Sequence, residues 1–351
     1  MVVSNLPVGE ISRKVLEDAL SPHPLGRRQR SHPTQAAPGT EPRVISGKAL
    51  GERGEVVFEG MRQNEHMSLH TSFRIGGPAD LYALATSAQE LADLVSLARE
   101  HDVPYLIIGR GTNILVADKG IRGLVIENGG QETCFRDGAV LYAEGGALLG
   151  DLARESARRG LGGLEWAVGI PGSVGGAIVG NAGAYGWYVA DVARKATVLT
   201  PDGMVRELSV AEMGLGYRTS RFKGQAGKGE QEVILSAEFV LHPEPAQALA
   251  EKMANYVRRR EASQPTEPSV GSVFKRTKQY PAGFLIEQAG LKGVRVGGAQ
   301  ISPKHANFIV NLGEARATDV KTLIDLAQER VREQFGVELE LEIELVGEWN
   351  D

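Results

Sequence analysis

Three short segments hold residue types that could do chemistry together. Tyr217-Arg218-Thr219-Ser220-Arg221-Phe222 sets an arginine between an aromatic and small hydroxyl residues, just after Gly214 and Gly216. That composition suits planar recognition of a carboxylate, although an ordinary surface loop fits it equally well. Ser269-Val270-Gly271-Ser272-Val273-Phe274-Lys275 puts a serine beside a glycine with a lysine three residues on. A nucleophilic Ser272 would need a histidine base and an orienting acid. His305 is available, but no Gly-x-Ser-x-Gly elbow is present, so a hydrolase is disfavoured. A serine that gives up a proton or binds a substrate group fits the same residues. Further along, Val337, Leu339, Leu341, Ile343 and Leu345 alternate with Glu338, Glu340, Glu342 and Glu344. Read as a strand, period two puts all four carboxylates on one face. A solvated sheet face is one reading. The other turns one glutamate into a cleft, its neighbours keeping it protonated at neutral pH. The pattern does not say which glutamate that is.

A fourth segment has almost no reactive groups. Between Gly160 and Gly186 the chain reads GLGGLEWAVGIPGSVGGAIVGNAGAYG, with ten glycines where ordinary composition gives about two. Glycine weakens helices and strands, so this density needs another cause. The apolar residues Leu164, Trp166, Val168, Ile170, Val174, Ile178 and Val179 argue against a solvated linker. A backbone cradle that a large ligand approaches closely is the better account.

These segments must be positioned by the elements around them. The chain has 351 residues, enough for two or three domains. Its net charge is −5 and its pI near 5.9, so it has no basic field for nucleic acid or anionic lipid. Arg258-Arg259-Arg260 falls at the end of a predicted helix, where cations complement the dipole. Cys134 is the only cysteine, which excludes an internal disulfide or a cysteine metal cluster, and the histidines show no metal-ligand spacing. With no membrane-length apolar run or signal pattern, a cytoplasmic protein is expected. Residues 1–60 read as a largely disordered extension, rich in Pro, Arg and His over residues 21–43, with a short helix around residues 11–20. Residues 61–125 read as a first unit. It has a strand at 81–85, a helix opened by a Ser87-x-x-Glu90 capping box with Leu91, Leu94, Val95 and Ala98 on one face, and a buried strand at 105–108. Gly109-Arg110-Gly111-Thr112-Asn113 follows, but the next residues are extended and apolar, so this is no Rossmann turn. Residues 126–245 read as a second unit with strands at 139–144, 192–200, 204–208 and 233–241 and a turn at Pro201-Asp202-Gly203. Residues 246–351 read as a third unit, opened by a bridging helix over 246–262. It includes a helix from an N-cap at Thr318 to Gly336 and ends on the alternating strand.

Five segments in fixed order resemble one family. They are Gly109–Asn113; Gly169-Ile170-Pro171-Gly172-Ser173-Val174-Gly175-Gly176 with Asn181-Ala182-Gly183-Ala184-Tyr185; Tyr217-Arg218-x-Ser220; Gly271-Ser272-x-Phe274-Lys275; and His305-Ala306-Asn307-Phe308. Over residues 66–347 the chain resembles the UDP-N-acetylenolpyruvoylglucosamine reductases, flavoenzymes of peptidoglycan precursor synthesis. The resemblance implies an α+β fold: a vanillyl-alcohol-oxidase-like (PCMH-type) two-part FAD-binding domain followed by an α/β substrate-binding domain. It implies non-covalent FAD, with NADPH as reductant. Gly109, Arg110, Gly111, Thr112 and Asn113, with Gly169, Ile170, Pro171, Gly172, Ser173, Gly175 and Gly176, would contact the cofactor diphosphate, and Asn181, Ala182 and Gly183 would lie along the flavin. Arg218, Ser272 and Glu342 match the catalytic positions; Tyr217, Lys275 and Asn307 would contact substrate. The implied partner is a UDP-sugar enolpyruvate, bound by a monomer or weak oligomer, with no nucleic acid, membrane or metal.

Two departures are conservative or local: Thr112 stands where serine is usual, and Thr277 where proline is common. The chain between Arg218 and Ser272 is too short for the tyrosine loop that closes over substrate in one subclass, so the resemblance is to the subclass lacking it. A different flavin oxidoreductase on this fold and a flavin-free nucleotide-sugar binder are the alternatives. The joint presence of Arg218, Ser272 and Glu342 disfavours the binder.

Overall fold

The computed structural model describes residues 48–50, 56–58, 61–224 and 231–349. The helix expected around residues 11–20 and the disorder expected over 21–43 lie outside them. Lys48–Leu50 (β1) and Val56–Phe58 (β2) pair antiparallel.

The first unit holds Arg62–His66 (β3), Pro78–Ala85 (β4), Ala88–Glu100 (α1), Tyr105–Ile108 (β5), Ile114–Val116 (β6) and Ile121–Asn128 (β7). Its sheet runs β3-β4-β7-β5, with β7 parallel to both β4 and β5. The predicted strand–helix–strand crossover is present, but β7 sits between the two strands it joins. Leu91, Leu94, Val95 and Ala98 of α1 bury against this sheet. The capping box differs in one respect. Ser87 Oγ accepts from Glu90 N–H at 3.1 Å, while the Glu90 carboxylate reaches back to Thr86 rather than to Ser87. As expected, the Gly109–Asn113 loop leads into a strand, β6, rather than a helix.

The second unit is a five-stranded antiparallel sheet. Its strands are Thr133–Arg136 (β8), Val140–Glu144 (β9), Ala193–Leu199 (β10), Val205–Ser209 (β11) and Val233–Val240 (β12), in the order β11-β10-β12-β9-β8. Leu149–Arg158 (α2) and Val174–Val179 (α3) pack on it around the fully buried Trp166. The next helix, Ala246–Ser263 (α4), also sends Leu249 and Met253 into this core. By its burial, the bridging helix belongs with the second unit.

The third unit contains Ala282–Gln288 (α5), Arg295–Val296 (β13), Ala299–Ile301 (β14), Ile309–Asn311 (β15) and Ala317–Phe335 (α6). Its core takes in Phe73, Ile75 and Leu115 of the first unit. The N-cap of α6 is Arg316, not Thr318. The Asp118 carboxylate accepts from the N–H groups of Ala317 and Thr318 at 2.8 and 3.0 Å, so a side chain from the first unit caps a helix of the third. Gly336 closes α6 with φ +64°, as a left-handed C-cap requires.

The alternating segment is shorter as a strand than its pattern suggests. Only Glu344–Val346 (β16) forms a ladder, parallel to β6. Upstream, Leu341 makes a single bridge with Phe274. The alternation is still real, because Leu339 and Ile343 are buried while Glu338 and Glu340 are exposed. Among the described residues no helix is long and apolar enough to cross a membrane.

Candidate active site

Arg218 stands at the tip of a tight turn. Gly216 and Thr219 exchange backbone hydrogen bonds of 2.9 and 3.3 Å, and Arg218 takes φ +53°. A non-glycine residue there carries strain on the order of 1–3 kcal/mol, so its surroundings must hold it. They do so from the glycine-rich segment. Asn181 Nδ2 donates to Gly216 O at 2.9 Å, Ser220 Oγ to Val179 O at 2.7 Å, and Arg218 Nη2 to Gly183 O at 3.1 Å.

Ser272 follows Gly271, whose φ of +80° turns the chain into the site. Its segment is clasped from both sides. Asn307 Oδ1 accepts from Phe274 N–H at 3.0 Å and Asn307 Nδ2 donates to Phe274 O at 2.8 Å. Opposite, Lys275 N–H reaches Glu340 O and Glu342 N–H reaches Val273 O, both at 2.8 Å. These bonds bring Ser272 and Glu342 to one wall. With Arg218 they line a cleft of about 410 Å³.

Arg218 Nε lies 2.7 Å from Glu342 Oε1. Its N–H is not aligned on that oxygen, so the contact is an ion pair rather than a hydrogen bond. Burial pushes the Glu342 carboxyl above the usual carboxylate range; Arg218, Lys223 and Lys275 pull it back, and burial wins. Lys223 also donates to Glu342 O at 3.2 Å, which ties the site to residues just after the Arg218 turn. His305, half-buried on the cleft wall, is drawn below the ordinary histidine value by burial.

The three residues expected to contact substrate separate here. Tyr217 lines the cleft and its hydroxyl accepts from Arg276 N–H at 3.2 Å. Asn307 lines it too, but both ends of its amide engage Phe274. Lys275 is not among the lining residues, and its ammonium lies 3.3 Å from Glu340 Oε2. Sequence reading missed Arg276, Lys292, Lys304 and Phe284, which complete the wall. A lone lysine or arginine carries no signal; only the fold gathers these.

The glycine loops explain themselves in two ways. A Cβ on Gly109 would meet Ser173 Oγ at 2.2 Å, and one on Gly183 the Tyr188 ring at 2.3 Å. Gly183 is required by the protein's own packing, since Trp187 O also lies 2.5 Å from that Cβ, whereas a side chain at Gly109 would have to displace the Ser173 hydroxyl. At Gly172 and Gly176 a Cβ would approach no protein atom nearer than 3.6 Å. There packing does not demand glycine, and the bare backbone stays open to close approach. The nearest atom to Gly172 is Thr112 Oγ1, so the loops of the first and second units face each other. Around them, Arg110 lies 3.8 Å from Glu127, and Ser173 Oγ accepts from Gly176 N–H at 3.4 Å. Asn113 Nδ2 donates to Glu342 O at 3.2 Å. Asn181 donates from Nδ2 to Gly216 O and accepts from Ala190 N–H at Oδ1. Two facing loops of small residues, beside a cleft holding Arg218, suit a flavin dinucleotide. Among the described residues no cluster of His, Cys, Asp and Glu could hold a metal ion.

Known proteins resemble this chain over most of its length. A model of the FAD binding domain matches residues 79–209, and a model of the UDP-N-acetylenolpyruvoylglucosamine reductase C-terminal domain matches residues 264–346. The UDP-N-acetylenolpyruvoylglucosamine reductase of Agathobacter rectalis is 46% identical over 304 residues, which cover 83% of this chain and 95% of that protein. UDP-N-acetylenolpyruvoylglucosamine reductase 2 of Symbiobacterium thermophilum is 45% identical over 289 residues, covering 82% and 92%. The crystal structure of the Thermus caldophilus reductase superposes with a TM-score of 0.70 at 36% identity, over 83% of this chain and all of that one.

Proposed function

From the premise that the chain belongs to the UDP-N-acetylenolpyruvoylglucosamine reductase family, we propose that it reduces UDP-N-acetylglucosamine enolpyruvate to UDP-N-acetylmuramate with NADPH, in the cytoplasm, for peptidoglycan precursor synthesis. Its α+β fold is the two-part FAD-binding fold followed by an α/β unit, and its cofactor is FAD, held without a covalent bond by the loops 109–113 and 169–176 with 181–183 beside them. The observation that carries this reading is the convergence of Arg218, Ser272 and Glu342 on one cleft bordering those loops.

When bound, FAD supplies the hydride that adds to the terminal vinyl carbon. Arg218 binds the substrate carboxylate, where negative charge accumulates as the vinyl group is reduced, and its guanidinium stabilises that charge most as it develops. The substrate carboxylate approaches the oxygen that Glu342 now turns toward Arg218. A second negative charge there raises the glutamate further, so Glu342 meets the substrate protonated and donates a hydrogen bond to the growing enediolate. Ser272 passes its hydroxyl proton to the carbon next to the carboxylate. That carbanion is basic enough to take it from an alcohol. Tyr217 and Asn307 shape the substrate side of the cleft, Lys275 acts at its margin, and Arg276, Lys292 and Lys304 complement the nucleotide diphosphate. No tyrosine is assigned as a lid.

Purified protein is expected to show a flavin absorption spectrum and, under anaerobic conditions, to oxidise more than one equivalent of NADPH per flavin only when the enolpyruvyl nucleotide is present. Colourless protein, or oxidation indifferent to the nucleotide, would refute the reading. The raised Glu342 predicts a pH dependence. Its acid form is the active one, so turnover falls as pH rises through its elevated value. In Glu342→Gln, which keeps a neutral donor, turnover is lower but this alkaline limb is gone; the check is a pH profile of kcat/KM for both proteins.

A further inference from the structure

Glu342 falls between two pairings. The β16 ladder begins at Glu344, Leu341 makes its one bridge with Phe274, and the backbone between them is bent. The Glu342 N–H completes that bridge on Val273 O at 2.8 Å. Its carbonyl is taken up by side chains instead. It accepts from Asn113 Nδ2 and from Lys223 Nζ, each at 3.2 Å, which fills both of its lone pairs. Asn113 comes from the loop 109–113, and Lys223 from the segment that carries Arg218. That segment therefore grips Glu342 at two points: Arg218 Nε lies 2.7 Å from the carboxylate, and Lys223 holds the carbonyl.

Lys223 is rooted for this task. Its N–H bonds Ser220 O at 3.2 Å, and Phe222 beside it is buried in the second unit's core. Its side chain is 17% exposed, yet it is not among the residues that line the cleft. Other lysines meet carboxylates closely, Lys292 with Glu287 at 2.7 Å and Lys321 with Asp325 at 2.6 Å. Lys223 stops 3.6 Å from Glu344 and gives its hydrogen bond to a backbone carbonyl. Its charge also reaches the glutamate head. With Arg218 and Lys275 it opposes the burial that raises the Glu342 carboxyl.

We infer that Lys223 is a positioning residue for Glu342, holding the glutamate by its carbonyl so that the carboxyl stays aimed into the cleft while Arg218 engages substrate. The inference rests on the reaction proposed above. When a substrate carboxylate draws Arg218 to itself, the grip on the glutamate head loosens and the grip on its carbonyl remains. Fixing that peptide fixes the direction in which the side chain leaves the wall, and a drift of about 1 Å there is costly to the rate. Lys223 acts through Glu342 and touches no reacting atom.

The test makes Lys223→Met and Lys223→Arg in the full-chain flavoprotein, and Lys223→Met again in Glu342→Ala. In Lys223→Met, flavin reduction by NADPH keeps the wild-type rate, while reoxidation by the enolpyruvyl nucleotide slows roughly tenfold or more. The alkaline limb of kcat/KM moves to higher pH, because a cation that favoured the ionised carboxyl is gone. Lys223→Arg recovers most of both effects. In Glu342→Ala no carboxyl remains to be aimed, so adding Lys223→Met slows reoxidation by less than about twofold. An equal loss with and without the carboxyl would overturn the inference, as would an unmoved alkaline limb or equal slowing of the two half-reactions. So would Lys223→Met protein that no longer holds flavin, because that marks a scaffold role. Wild-type flavoprotein that the enolpyruvyl nucleotide does not reoxidise would instead defeat the proposed reaction itself.

Discussion

Ser272→Ala should leave flavin reduction by NADPH at the wild-type rate and slow reoxidation by the enolpyruvyl nucleotide about 10²–10⁴-fold, the usual contribution of a positioned proton donor. The two half-reactions separate because only the second moves a proton to carbon. Removing one hydroxyl creates little strain. Gly271 supplies the turn, and the Asn307 clasp on Phe274 and the Val273–Glu342 backbone bond are untouched. Stopped-flow measurement of each half-reaction decides the matter. Equal losses in both would contradict the proton-donor role.

Arg218→Met is expected to cost about 10²–10³-fold in the same oxidative half-reaction, the scale of deleting one oriented group that faces developing charge. It differs from Ser272→Ala in its effect on binding. Arg218 holds the substrate carboxylate before and during reaction, so KM for the nucleotide rises as kcat falls, whereas the serine variant keeps KM. The charge also opposes the burial that raises Glu342, so without it the carboxyl stays protonated to still higher pH and the alkaline limb moves upward. A variant with normal KM and an unmoved pH profile would remove Arg218 from the carboxylate site.

Local features of the site were legible in the sequence wherever short-range chemistry decides conformation. The strand after Asn113, the turn at Pro201-Asp202-Gly203, the amphipathic face of α1 and the cap at Gly336 all follow from neighbouring residues. Glu342 was singled out by resemblance, and its alternation pattern alone left four glutamates equivalent. What distinguishes it is burial and two distant partners, Arg218 and Asn113. The same limit explains the misplaced N-cap of α6, since Asp118 arrives from another unit. It explains Asn307 as well. An asparagine that substitutes for a strand partner of Phe274 is indistinguishable in sequence from one that awaits a ligand. The glycine run points to a cradle, yet two of its members answer to protein atoms, Gly183 to Tyr188 and Gly169 to Arg260, as Gly109 of the earlier loop does to Ser173.

The parallel pairing of β6 with β16 has a consequence for how the molecule is made. Asn113 and its bonding partner Glu342 are 229 positions apart. A chain emerging from the ribosome therefore carries the apolar Ile114-Leu115-Val116 edge unsatisfied through nearly all of its remaining synthesis, a period in which such edges recruit neighbours. The amino-terminal half cannot mature into a working flavoprotein ahead of the rest, and competence for catalysis arrives only when the distal segment has been translated and threaded home.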